Sequence, residues 1–154
     1  MTGEQTNSKP LEVLVIDDDP QIRSLFVDFI ELIGEQLGIS IAVTAAVNGK
    51  DGLEKYVARF NSKNPYHAVL TDLMMPGVNG NQVVEEVKKL TPKIPVYVVT
   101  GIEANIEYQK LKAKLGSLAP DGVIQKPVAI GIFEGIVKEI VKKSNTQAPP
   151  AYQS

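Results

Sequence analysis

The chain has no cysteine, which excludes disulfides, zinc–thiolate sites and thiol catalysis. It has no marked excess of charge. The formal net charge is -2, so nothing electrostatic favours a nucleic-acid backbone or an anionic membrane as partner. No apolar run approaches the roughly 20 residues needed to cross a bilayer. Residues 1–10 are polar and lack the apolar segment of a signal peptide. Internal repeats are absent too. These absences leave a small soluble protein, expected in the cytoplasm. What remains is ordinary globular material: 154 residues, 44% apolar and 22% charged, enough for one domain with a real core.

Along the chain, short apolar runs alternate with stretches of helical periodicity. Residues 1–10 read as a disordered tail. Leu11 to Ile16 is nearly all apolar, as expected for a strand covered on both faces, and runs into Asp17-Asp18-Asp19-Pro20. Asp followed by Pro is a helix start, with Asp19 as N-cap. The helix it opens carries Ile22, Phe26, Phe29, Ile33 and Leu37 on one stripe and ends at Gly38. A second strand is predicted over 39–46. Asn48-Gly49 then opens a helix whose buried face is Leu53, Tyr56, Val57 and Phe60. A third strand over 67–70 ends on Asp72, and the turn Met75-Pro76-Gly77 leads to Gly80 and a helix with Val83, Val84, Val87 and Leu90 inward. A fourth strand over 94–99 ends at Thr100-Gly101. A helix over about 103–115 follows, with Ile106, Leu111 and Leu115 inward. A fifth strand over 123–125 ends at Lys126-Pro127, and a last helix buries Ile130, Phe133, Ile136, Val137 and Ile140. The segment 144–154 is rich in Pro, Gln and Ala and reads as a flexible tail.

Five strands alternating with five helices predict an α/β fold with a parallel sheet and right-handed crossovers. At this size the flavodoxin-like (βα)5 arrangement, a doubly wound five-stranded sheet of order 2-1-3-4-5, is the natural choice, with ligands bound beyond the carboxyl ends of the strands. The switch point then lies between the first and third strands, which end in Asp17-Asp18 and in Asp72. Acids brought that close must protonate, recruit a cation or strain the fold. Oxygen ligands without Cys or His nearby suit Mg²⁺. Thr100 and Lys126 arrive on the fourth and fifth strand ends with groups suited to a phosphoryl oxygen. Taken singly, each motif has a plain reading as a helix cap, a turn or a helix entry. Their joint occurrence at four strand ends is what points to phosphoryl transfer to a carboxylate, where positioning and charge neutralisation are the requirements.

On these residues, Asp17-Asp18, Asp72 with Met75-Pro76 and Gly80, Thr100-Gly101 and Lys126-Pro127, the chain resembles the receiver domain of two-component response regulators over residues 11–143. The resemblance implies that Asp72 is the phosphoacceptor, taking the phosphoryl group from a phosphohistidine of a sensor histidine kinase or histidine phosphotransfer protein. It further implies that Asp17, Asp18, Asp72 and the backbone carbonyl of Met74 bind Mg²⁺, Asp17 helping through water. Thr100 and Lys126 would hold the phosphoryl oxygens, and the Lys126–Pro127 bond would be cis. Such a protein catalyses only its own phosphorylation and dephosphorylation. The pattern is broken at Val123, three before Lys126, where the family usually has an aromatic switch residue. The longer segment 112–120 argues against the family's standard dimer, so a monomer or weak dimer is expected. Tyr97 is expected to be packed and Tyr108 solvated, and the single histidine, His67, at the end of its strand away from the site, is expected to have a surface or packing role rather than to be phosphorylated. The 11 residues after Lys143 are too few for a DNA-binding module, so a stand-alone receiver signalling through protein contacts is expected.

Two other readings remain. Asp17-x-Asp19 after a strand resembles the opening of haloacid-dehalogenase-like phosphatases, with Asp17 as nucleophile and Asp19 as general acid/base. Against it stand Gln21, the lack of an acidic motif after Lys126, and the unexplained Asp72 motif. The other is a receiver-like binding module that is never phosphorylated.

Overall fold

The computed structural model describes residues 9–146. The strands are β1 (Leu11–Ile16), β2 (Ile41–Ala46), β3 (Ala68–Asp72), β4 (Val96–Thr100) and β5 (Gly122–Gln125). Alternating with them are α1 (Pro20–Leu37), α2 (Gly49–Asn61), α3 (Gly80–Leu90), α4 (Ala104–Leu115) and α5 (Ile130–Thr146), and a short 3₁₀ turn (Gly116–Leu118) follows α4. All four strand pairings are parallel, in the order β2-β1-β3-β4-β5. This is the flavodoxin-like topology expected from the sequence. Among the described residues no helix is long and apolar enough to cross a membrane.

The near-continuous apolar character of the central strands follows from helices on both faces. Alternate side chains of β1 enter different cores: Leu14 and Ile16 join Tyr56, Val83, Val84 and Val87 on the α2–α3 side, and Val13 and Val15 join Phe26, Ile30, Phe133 and Ile140 on the α1–α5 side. A period of two with both faces covered favours apolar residues at every interior strand position, so the polar ones gather toward the strand ends. Phe133 anchors the second core, meeting Phe26 and Phe29 edge-on at centroid separations of 4.8 and 5.5 Å.

The structure departs from the expected elements in identifiable ways. Gly38 adopts φ 70° and closes α1, with the Ile39 amide donating to the Gly34 carbonyl at 2.8 Å. Ile39 is thereby held in the helix cap, the Ser40 carbonyl accepts from the Leu11 amide at 2.9 Å, and β2 starts only at Ile41. At the other extreme β3 runs on through Thr71 and Asp72, because the ladder with β4 continues to the pair Asp72–Val99. Val57, Leu90, Ile106 and Ile130, all expected inward, are 38–50% exposed. Val57 lies about 100° around the helix from fully buried Tyr56. Leu90 and Ile130 are terminal residues of their helices, and α4 reaches the core chiefly through Leu111 and Leu115. Residues 144–146 continue α5. The expected tails at 1–8 and 147–154 lie outside the described residues.

Candidate functional site

Because all the strand pairings are parallel, the carboxyl ends of the strands lie at one edge, and the expected site residues stand there. Asp17 follows β1 directly. Its amide donates to the Ala46 carbonyl at 3.3 Å and its side chain is buried, 1% exposed. Asp19 caps α1 as expected: its Oδ1 accepts from the Gln21 and Ile22 amides at 2.9 and 3.3 Å. That cap also turns the Asp19 amide onto Asp17 Oδ1 at 2.9 Å. The three consecutive acids therefore have three different settings, with Asp18 left exposed between a buried acid and a capping one.

Asp72 ends β3 and is 8% exposed. The chain beyond it is held tightly: the Leu73 amide donates to Val99 O at 3.0 Å, and the Gly80 amide returns to Leu73 O at 2.8 Å. Only glycine fits at residue 80, because a Cβ there would lie 2.4 Å from the Asp72 carbonyl oxygen. Asn79 and Gln82 form a reciprocal capping box that starts α3 at this point. Met74, in the loop between β3 and α3, is exposed.

Thr100 ends β4 fully buried, its Oγ1 accepting from the Ile102 amide at 3.1 Å. A hydroxyl that accepts through its oxygen still has its proton to donate. A Cβ at Gly101 would meet nothing within 4 Å, so no protein neighbour demands that glycine. The Lys126 amide donates to the Thr100 carbonyl at 2.8 Å, which sets the lysine beside the threonine. Lys126 Nζ lies 3.4 Å from both Asp17 Oδ2 and Asp72 Oδ1. The Lys126–Pro127 bond is cis, as expected.

Asp17, Asp18 and Asp72 each present an oxygen within 4.8 Å of the others. One lysine faces this cluster, so its negative charge is only partly offset. Burial pushes the Asp72 carboxyl up, the Asp17 charge pushes it further, and Lys126 opposes both. An all-oxygen donor set of excess negative charge, open to water through Asp18, fits a hydrated Mg²⁺ ion.

Other expectations resolve clearly. Val123 packs against the α2–α3 core. Tyr97 is packed on the opposite face, and burial raises its hydroxyl to about 12. Tyr108 is half-buried rather than solvated, with Lys112 Nζ 5.3 Å from its ring centroid. His67 immediately precedes β3 and accepts from the Glu12 amide through Nδ1 at 2.8 Å. Arg23, absent from the expected set, donates from Nη1 to the Asp17 carbonyl at 2.8 Å. The available signal was its place one turn inside a helix that opens from the acid run.

Comparison with known proteins places the fold in a family. The family described as response regulator receiver domain matches residues 13–138. Among curated proteins the chain is similar to the autoinducer 1 sensor kinase/phosphatase LuxN of Vibrio campbellii, 24% identical over 144 residues. That match covers 94% of this chain and 15% of LuxN, so the chain spans a small part of that relative's length. A solved response regulator receiver domain protein from Clostridium thermocellum shares the fold at TM-score 0.72, with 22% identity over 88% of this chain and 97% of that one. The response regulator protein TrrA from Thermotoga maritima, solved in complex with Mg²⁺-BeF, is 26% identical at TM-score 0.61, over 84% of this chain and 97% of that one.

Proposed function

Since this chain belongs to the response regulator receiver domain family, we propose that Asp72 accepts a phosphoryl group from a phosphohistidine of a sensor histidine kinase or histidine phosphotransfer protein. The observation that carries this reading is the meeting of Asp17, Asp18 and Asp72 with Lys126 at the carboxyl edge of the sheet. Asp17, Asp18, Asp72 and the Met74 backbone carbonyl would hold Mg²⁺, which when bound neutralises charge on the phosphoryl oxygens.

The chain's own groups then have definite tasks. An Asp72 carboxylate oxygen attacks phosphorus, an O–P bond forms, and the P–N bond to the donor imidazole breaks with its electron pair going to nitrogen. Lys126, already against Asp72, follows the new negative charge onto a phosphoryl oxygen. Thr100 donates the proton that its contact with the Ile102 amide leaves free. Partial burial of Asp72 keeps bulk water from competing for these charges. The product, an acyl phosphate, changes the surface offered to a downstream protein. With Val123 packed against the core in place of an aromatic switch, the movement that reports phosphorylation is assigned to Thr100.

The phosphatase reading is disfavoured by Asp19, whose side chain is engaged in capping α1, and by Asp17, held by both Lys126 and the Asp19 amide. Incubation with Mg²⁺ and acetyl phosphate, followed by intact mass, decides the matter. One added phosphoryl group is expected, lost in Asp72→Asn and kept in Asp19→Ala. Phosphomonoester turnover that survives Asp72→Asn and disappears in Asp17→Asn would instead establish the phosphatase. No mass change despite Mg²⁺ binding would establish a module that is not phosphorylated.

A further inference from the structure

Asp18 is the unsupported member of the acidic cluster. Lys126 reaches Asp17 and Asp72, and the Asp19 amide binds Asp17 as well. The Asp18 side chain is exposed and, among the described residues, has no hydrogen bond or ion pair. Yet one of its oxygens stands within 4.8 Å of the other two acids. A solvated side chain without a partner keeps such an aim only as far as its backbone is held.

That backbone is held by Arg23. The residue sits in the first turn of α1, its amide donating to the Asp19 carbonyl at 2.9 Å. Helical side chains lean toward the N-terminus, and the guanidinium accordingly reaches back six residues to the Asp17 carbonyl, 2.8 Å from Nη1. The Asp17–Asp18 peptide is planar. Holding its oxygen restrains the plane that carries the Asp18 nitrogen and Cα, the plane from which the Asp18 side chain departs. The preceding peptide is anchored separately, by the Asp17 amide on Ala46. A charged donor makes this contact stronger than a neutral one.

We propose that Arg23 is a positioning residue: by holding the Asp17 carbonyl it aims the Asp18 carboxylate into the cation site. The inference rests on the reading of the cluster as a divalent-cation site. Its distinguishing consequence is that Arg23 acts through Asp18, whereas charge alone would act on all three acids.

The test is a Mg²⁺ titration of the full chain, labelled with ¹⁵N and followed through amide shifts, for wild type, Arg23→Ala, Arg23→Lys and Arg23→Ala on an Asp18→Asn background. Arg23→Ala is expected to weaken Mg²⁺ binding about 3- to 10-fold, as loss of one charge-assisted hydrogen bond would. Arg23→Lys recovers most of that loss. On the Asp18→Asn background the same Arg23→Ala step changes affinity less than about twofold. Equal weakening on both backgrounds, or none in Arg23→Ala, overturns the proposal. In the metal-free protein Arg23→Ala is expected to shift the Asp18 amide resonance while those of β3 and β4 stay in place. An unmoved Asp18 amide overturns the proposal, and this reading stands even where a variant binds Mg²⁺ too weakly to titrate. Wild-type protein that binds no Mg²⁺ overturns the divalent-site reading, and the metal-free resonances distinguish that failure from failure of the Arg23 contact.

Discussion

Asp17, Asp18 and Asp19 are chemically identical and adjacent, yet their surroundings give them three roles. Asp19 is consumed by the helix cap, Asp17 is buried against Lys126, and Asp18 stays in water. Glycine matters at this scale where backbone meets backbone. Gly80 lies against the Asp72 carbonyl, and a Cβ would come within 2.4 Å of that oxygen and 2.7 Å of Leu73 Cα. Neither atom belongs to a flexible side chain, so the strain cannot be relieved by a rotamer change. Gly80→Ala is expected to destabilise the fold by about 1–3 kcal/mol, as overpacking does. It is also expected to slow phosphorylation by acetyl phosphate, since the displaced atom belongs to Asp72. Chemical unfolding and timed mass spectrometry check both effects. Unchanged rate and stability would mean that the close approach is not required.

Between elements, two contacts at the far end of the sheet hold the scaffold together. His67 and Glu12 exchange two hydrogen bonds: the His67 amide donates to the Glu12 carbonyl at 2.7 Å, and the Glu12 amide donates to Nδ1 at 2.8 Å. An Nδ1 that accepts requires a neutral ring. Burial lowers the His67 pKa, the Glu12 carboxylate opposes, and the Arg59 charge lowers it further. The folded value thus lies below the unfolded value of about 6.5. The associated stability is complete above about pH 6.5 and is lost as pH falls through that value toward the folded one. Wild-type protein is expected to lose more stability between about pH 6.5 and 5.5 than His67→Asn, whose amide oxygen can accept without titrating. Urea midpoints at the two pH values measure the difference, and parallel loss in both proteins would refute the assignment.

The second contact joins three elements at Asp121. Its carboxylate takes Lys88 of α3 at 2.8 Å, the Val96 amide of β4 at 2.8 Å and Lys143 of α5 at 3.0 Å. Burial pushes this carboxyl up, but Lys88, the Val96 amide and Lys143 together hold it below its usual range. The Lys88 side chain is only 5% exposed. Removing its partner leaves a buried charge, so Asp121→Ala is expected to cost about 3 kcal/mol. Adding Lys88→Met should return a good part of that, as measured in a double-mutant cycle by chemical unfolding. A loss under about 1 kcal/mol would mean that Lys88 reaches water once released.

For the molecule as a whole, the crowding of acids at the site works against the fold. Three acids face one lysine, and Asp72 is held at a raised pKa by burial and by Asp17. Millimolar Mg²⁺ is therefore expected to raise the unfolding temperature. Asp72→Asn should stabilise the metal-free protein and shrink the Mg²⁺ increment. Thermal scans with Mg²⁺ and with chelator test this, and a wild-type midpoint indifferent to Mg²⁺ would count against a divalent site. The sequence alone determined the alternation of strands and helices, the strand order and the gathering of Asp17, Asp18, Asp72, Thr100 and Lys126 at one edge. Periodicity and turn chemistry act locally, and the handedness of crossovers converts that local order into a single topology. Only the tertiary structure decided that Asp72 closes its strand from within the ladder and that Val57 and Ile106 face water. The pairing of Lys126 with two acids and the reach of Arg23 to the Asp17 carbonyl were likewise decided there. Those outcomes depend on register, on which neighbour covers which face, and on side-chain directions between residues up to 109 positions apart, none of which a local pattern encodes.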